Sequence, residues 1–109
     1  MQRILFIDRM HPQDADEVAK VWRAHDATGL PEEIGVARRH LYRFHGLYVH
    51  LVESRDGLDD DLTDRIFAAR DAREFVETRD ALGRLLTPYS PEFRNLKATR
   101  AEEFYRWQA

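Results

Sequence analysis

The chain contains no cysteine. That removes disulfide frameworks and thiolate metal sites, and it suits a reducing cytoplasm, the location expected here. No apolar run approaches the ~20 residues of a membrane-spanning helix. The opening MQRILFIDRM has too short an apolar stretch for a signal peptide and carries charges inside it, so no membrane partner is expected. A basic block is also missing. The 17 Lys and Arg stand against 20 Asp and Glu, for a net charge of −3 with His neutral, and this argues against nucleic acid as the main partner. There is no internal repeat, low-complexity tract or interdomain linker, so the 109 residues read as one small domain, 1–109.

What is present has a simple order. Arg3 to Met10 alternates as a strand. His11-Pro12 breaks it, and Pro12 can open a helix whose first turn holds Asp14, Asp16 and Glu17, where acids complement the helix dipole. Val18, Val21, Trp22 and His25 recur at helical spacing, until Gly29 and Pro31 end the helix. Two strand-like runs follow, Ile34 to Phe44 and Leu47 to Val52. After the acidic loop SRDGLDDD, whose aspartates can cap a helix, Leu62, Ile66 and Phe67 mark a second helical region. Beyond a break near Asp71 to Arg73 it continues through Phe75, Val76, Leu82, Leu85 and Leu86. A Pro-punctuated loop, TPYSPEF, leads to an alternating aromatic segment, Lys97 to Trp107, expected to be the last strand. The order β-α-β-β-α-β predicts an α+β, ferredoxin-like sheet with helices on one face. The other face, left bare and partly apolar, would seek a partner, as in a homodimer of the dimeric α/β barrel type.

The two central runs are separated only by His45-Gly46, a two-residue hairpin connection in which Gly is available for positive φ. Phe44 then pairs with Leu47, Tyr42 with Val49, Leu41 with His50 and Arg39 with Val52. Alternation puts Arg39, Leu41, Arg43, Tyr48, His50 and Val52 on one face. The opposite face, Arg38, His40, Tyr42, Phe44, Leu47, Val49 and Leu51, is the more apolar and is expected to cover the helices. The first face, with guanidiniums, a phenol and an imidazole among aliphatics, suits a pocket for a flat polar ligand. Its place, in a dimer cavity or between sheet and helices, stays open. His40, His45 and His50 recur every five residues, but the register separates them, so no metal site is expected. Trp22 and Trp107 are most simply core or dimer contacts.

The stretches AHDATGLPEEIGVARRHLYRFHGLYVHLVE, LTPYSPEF and KATRAEEFYRWQA resemble the aromatic polyketide cyclases of the tetracenomycin F2 cyclase type. The most specific pieces are His25-Asp26, Leu30 to Val36, Arg43 to His50 and Leu86 to Tyr89, in that order along nearly the whole chain. The resemblance implies a cofactor-free, homodimeric enzyme that closes a ring in a partly cyclised aromatic polyketide by intramolecular aldol condensation and loss of water. It carries the pocket onto His25, Asp26, Arg39 and His50. Two departures, the long acidic loop at Asp56 to Asp61 and Gly46 at the turn, bear on substrate choice rather than reaction type.

Each residue type fits a step. Arg39 offers a permanent cation and a forked donor to an enolate or phenolate oxygen. His50, titrating near neutrality, can move a proton. His25 lies near a helix C-terminus, where the dipole favours imidazolium. Asp26 cannot face its neighbour His25 on a helix but can reach Arg39. Arg43, Tyr48 and Tyr89 are expected to bind substrate. Two other classes remain open from the residues: a cofactor-independent monooxygenase of a polyphenol, which would consume oxygen, and a non-catalytic module that only holds a polyketide.

Overall fold

Alternation of apolar side chains over Arg3–Met10 produces the first strand, β1, which buries Ile4, Phe6 and Met10 on one side. In the computed structural model, which describes residues 1–109, Pro12–Asp14 form a single 3-10 turn that runs directly into helix α1, Ala15–Asp26. Four residues later Leu30–Ile34 form a short helix, α2, with Pro31 in its first turn, where a missing N–H costs nothing. Gly29 and Pro31 therefore end one helix and begin another. The hairpin consists of β2, Val36–Phe44, and β3, Leu47–Ser54. Helices α3, Leu62–Ala68, and α4, Arg73–Leu82, complete the layer, and Asp61 caps α3 by accepting the Asp64 N–H at 3.0 Å.

The sheet is fully antiparallel with strand order β2-β3-β1-β4, where β4 is Leu86–Thr87. This is the ferredoxin-like arrangement, with all four helices on one face. No helix is long and apolar enough to cross a membrane. The hairpin register is the one the sequence predicts: Phe44 pairs with Leu47, Tyr42 with Val49, Leu41 with His50 and Arg39 with Val52. The left-handed residue of the turn is His45, at φ 53°, rather than Gly46.

Two expectations are corrected. The helices cover the mixed polar face, not the more apolar one. Val52, Tyr48 and His50 are buried beneath them, whereas Tyr42 and Phe44 are 53% and 65% exposed. Which face is covered follows from the right-handed crossover from β1 through α1 to the parallel strand β2, and the helices bring apolar residues of their own. They meet this face through Val18, Leu30, Ile34, Leu62 and Ile66 and leave a hollow among the polar groups. The last strand is Leu86–Thr87, not Lys97–Trp107. That later segment gives a 3-10 turn at Leu96–Thr99 and a single bridge from Arg100 to Phe6, with the Ala101 N–H donating to Leu5 O at 2.7 Å. Beyond it Phe104, Tyr105 and Trp107 are 96%, 65% and 73% exposed, so Trp107 is no core residue. Past that bridge the segment forms no further ladder along the edge of β1, and its aromatics stay exposed.

A β-bulge between Val36 and Arg38 sets the phase of β2. Val36 and Arg39 both line the interior, although three residues apart, which unbroken alternation forbids. Just before it, Gly35 ends α2 at φ 109° and accepts no Cβ without crowding Leu58 at 3.1–3.2 Å. Gly35→Ala is expected to lower the unfolding free energy by roughly 1–3 kcal/mol in urea titration, whereas Gly57→Ala, in open space at a similar φ, should cost less.

Candidate active site

Between the sheet and the helices lies a cavity of about 440 Å³, within the range of small-molecule sites. Its floor is the inward face of β1, β2 and β3, and α1 and α4 form its roof. The groups along its floor and roof converge on Arg39. The side chain is only 9% exposed, and its guanidinium lies 3.9 Å over the Trp22 ring, a desolvated cation–π contact. Nε donates to both oxygens of Asp26, at 3.0 and 3.1 Å, and Nη2 lies 2.9 Å from Oδ1. Nη1 donates to His50 Nε2 at 2.8 Å. A guanidinium has five N–H groups, so one on Nη1 and one on Nη2 remain for a guest. Asp26 stands behind Arg39, 41% exposed and outside the cavity wall. Its charge at the C-terminal end of α1 opposes the helix dipole, and the guanidinium offsets that repulsion.

The two histidines are neutral donors or acceptors here. Because Arg39 can only donate, His50 Nε2 must carry the lone pair and the proton sits on Nδ1. Burial, then the charge of Arg39 and the proximity of His25, hold His50 well below its ordinary pKa. His25 is also lowered, by burial first and by Arg39 second, with Asp26 and Glu74 opposing. The helix dipole therefore does not make it an imidazolium, because desolvation outweighs the dipole. Its Nδ1 lies 2.8 Å from Thr78 Oγ1 on α4. The rings form one aromatic wall: Trp22 meets His25 edge-on at 5.3 Å and tilts against His50 at 4.7 Å, with Phe6 and Tyr48 on its flanks.

The structure brings together His25, Arg39, Tyr48 and His50 on the cavity wall, with Asp26 held behind Arg39. Tyr48 accepts the Trp22 indole N–H at 2.8 Å, and burial raises its pKa further, so it stays a neutral phenol. Arg43 and Tyr89 are placed elsewhere. Arg43 is exposed and donates to Pro12 O at 2.9 Å, tying the hairpin to the start of α1. Tyr89 is half exposed and stacks against Arg9, 4.5 Å from ring centre to guanidinium, on the opposite side of β1. Neither lines the cavity. Sequence reasoning missed Trp22 as a site residue, along with Thr78, Arg79 and Asp8 on the wall. The i, i+3 spacing of Trp22 and His25 and the alternation of Phe6, Asp8 and Met10 carried the signal for two of these. His40, His45 and His50 are dispersed, and no group of three metal-ligating side chains is assembled.

The family model for polyketide synthesis cyclases matches residues 2–108. The chain is 47% identical to tetracenomycin F2 cyclase of Streptomyces glaucescens over 107 residues, covering 98% of this chain and 94% of that protein. It is 36% identical to an uncharacterised protein of Streptomyces coelicolor, covering 99% and 96% of the two. The solved structure of the Streptomyces glaucescens cyclase, described as a type-II polyketide cyclase, superimposes with a TM-score of 0.89 at 46% identity, covering 100% of this chain and 99% of that one.

Neutral histidines have a measurable consequence. Unfolded, each titrates near about 6.5. Folded, His50 titrates well below that. As pH falls through this window the unfolded chain binds more protons, so stability present above about pH 6.5 is lost. The wild-type protein should therefore lose more stability between pH 7.5 and 5 than His50→Gln, by up to about 1.4 kcal/mol per pH unit, in paired urea titrations. Parallel curves would mean that His50 is not held neutral.

Proposed function

This chain belongs to the polyketide synthesis cyclase family, and from that membership we propose that it closes a ring of a partly cyclised aromatic polyketide by intramolecular aldol condensation and loss of water. The observation that carries the reading is the desolvated Arg39 guanidinium, which keeps two N–H groups free inside an aromatic-walled cavity beside two neutral imidazoles. The methylene between two carbonyls is already acidic, so the site need not supply a strong base. Loss of its proton gives an enolate, whose carbon attacks a ketone of the same chain. One C–C bond forms, the alkoxide takes up a proton, and expulsion of water leaves the aromatic ring.

Arg39 would hold the developing oxyanion through its two spare N–H groups. His50 offers Nδ1–H, and His25 offers Nε2, a lone pair in the tautomer that donates from Nδ1 to Thr78. Asp26 acts through Arg39, fixing its plane. Folding the chain against the Trp22–His50 wall brings the reacting carbons together, and such proximity is worth roughly 7–11 kcal/mol in the best cases. No step in this chemistry calls for a cofactor, and a cysteine-free chain suits the cytoplasm. The reading also includes a homodimer. The uncovered sheet face presents Tyr42, Phe44 and Leu5, and the C-terminal segment presents Phe104, Tyr105 and Trp107, an apolar surface that association would bury.

Metal-stripped protein incubated under nitrogen with a partly cyclised polyketide should form product lighter by one water, faster than the protein-free rate. Product that appears only in air, with oxygen added, would favour a monooxygenase. Arg39→Ala should lower kcat by about 10²–10³-fold, and Arg39→Lys by less, because charge survives while the fork is lost. In light scattering the protein should show twice the mass of one chain; the monomer mass would remove the dimer from the reading.

A further inference from the structure

Asp8 is the only carboxylate on the cavity wall. It lies on the inward face of β1 between the buried Phe6 and Met10 and pairs in register with Tyr48. The acids nearest the site have partners: Asp26 is gripped by Arg39, and Glu74 lies 3.9 Å from Arg73; Glu53, on the opposite sheet face, is held by Arg3 and Arg38. Asp8 makes no hydrogen bond or ion pair, and its oxygens are not sealed from the cavity space. The other ionisable side chains on the cavity wall are Tyr48 and His50 from β3, Arg39 from β2, His25 from α1, Arg79 from α4 and Arg94 from the loop that follows β4, and Tyr48 is the cross-strand neighbour of Asp8. β4 itself contributes only Leu86 and Thr87.

The register sets the backbone of Asp8 apart from that of Arg39. Arg39 shares a cross-strand row with Val52 and Ile4, whereas Asp8 shares one with Tyr48 and Arg43, two strands across and four residues along. On a regular sheet that separates the two Cα atoms by about 16 Å. A fused polycycle anchored at Arg39 and laid along the floor toward β4 would bring its distal ring to Asp8.

We propose that Asp8 is a specificity-determining residue, whose carboxylate accepts a hydrogen bond from a hydroxyl on the distal ring of the substrate, at the end of the cavity where β1 meets β4. The inference rests on the polyketide reading of the cavity and names the kind of ring it accepts: a phenolic ring with a free hydroxyl at that end, not its methyl ether. An unpartnered carboxylate is an expensive way to fill an apolar wall, since burial alone lifts its pKa to about 6. A hydroxyl donor would replace the water that burial removes. Rejection of the ether follows from the same chemistry: the ether has no proton to give, and its methyl group occupies the space of the hydrogen bond.

The test uses a tetrahydroxyanthraquinone and its set of mono-methyl ethers, with affinities read at pH 7.5 by calorimetry. For the wild-type protein one ether in the set should bind roughly 10–100-fold more weakly than the parent, the worth of a hydrogen bond to a charged group. In Asp8→Leu that ether and the parent should differ by no more than about twofold, with Asp8→Asn between. Arg39→Ala should weaken the whole set without changing its ranking. Both Asp8 variants should melt no lower than wild type at pH 8, because each removes a desolvated charge. An identical ranking in wild type and Asp8→Leu overturns the proposal, and with lowered melting in both variants it makes Asp8 structural. If no member of the set binds wild type, the polyketide reading falls and this inference falls with it.

Discussion

A single guanidinium couples the two halves of this domain. Arg39 leaves the middle of β2, lies flat on a ring from α1, grips a carboxylate at the C-terminal end of α1, and fixes the tautomer of an imidazole on β3. A cation so far withdrawn from water is tolerated only when its donors are met and its face is covered. The indole, the carboxylate and the histidine meet those conditions together. They also share the consequences, because moving any one of them changes the geometry of the rest. The angle between α1 and the hairpin is thus tied to the position of the two free N–H groups of Arg39.

The helices that cover the more polar face of the sheet leave a hollow beneath them. A domain of 109 residues has room for one core, and here it is split. One cluster, around Ile4, Val52 and Leu62, seals one end, and a smaller one, around Met10, Val18 and Tyr48, seals the other. On the wall of the space between them, Trp22 pairs with Tyr48, His25 with Thr78, and Arg39 with His50, and Asp8 is left unpartnered. No buried side-chain polar atom lacks a partner. The cavity therefore sets fixed donors in a largely apolar wall, where an oxyanion would meet them already in place.

Much of this was legible in the sequence because local rules fix it. Alternation and a two-residue turn gave the hairpin register, and with it the common face of Arg39, Tyr48 and His50. Helical periodicity gave the inward position of His25. The resemblance to polyketide cyclases added the fold family and four of the pocket residues. What was not legible depends on relations between elements. Which sheet face the helices cover is decided by the hand of the crossover from β1 through α1 to β2, not by the polarity of the strands. The state of the histidines is decided by burial, which here outweighs the helix dipole at His25. Tyr89 sits in a shared loop motif, yet it turns toward Arg9, a contact that no local pattern encodes. The alternating aromatics near the C-terminus had a strand's pattern without a strand's partner.

The bulge at the start of β2 shows how the site is addressed within the chain. Because one extra residue sits between Val36 and Arg38, the inward side of the hairpin is counted from the turn, not from the helix that precedes it. The hairpin can thus be inherited as a unit whose internal numbering is read backwards from His45. Gain or loss of a residue upstream can be absorbed where the ladder is already broken. The same change between Arg39 and the turn would move Arg39 to the exposed face and put its neighbour in its place. Variation in chain length among related sequences should therefore collect on the α2 side of the bulge and in the acidic loop after β3, and be absent from the seven-residue stretch that ends at His45.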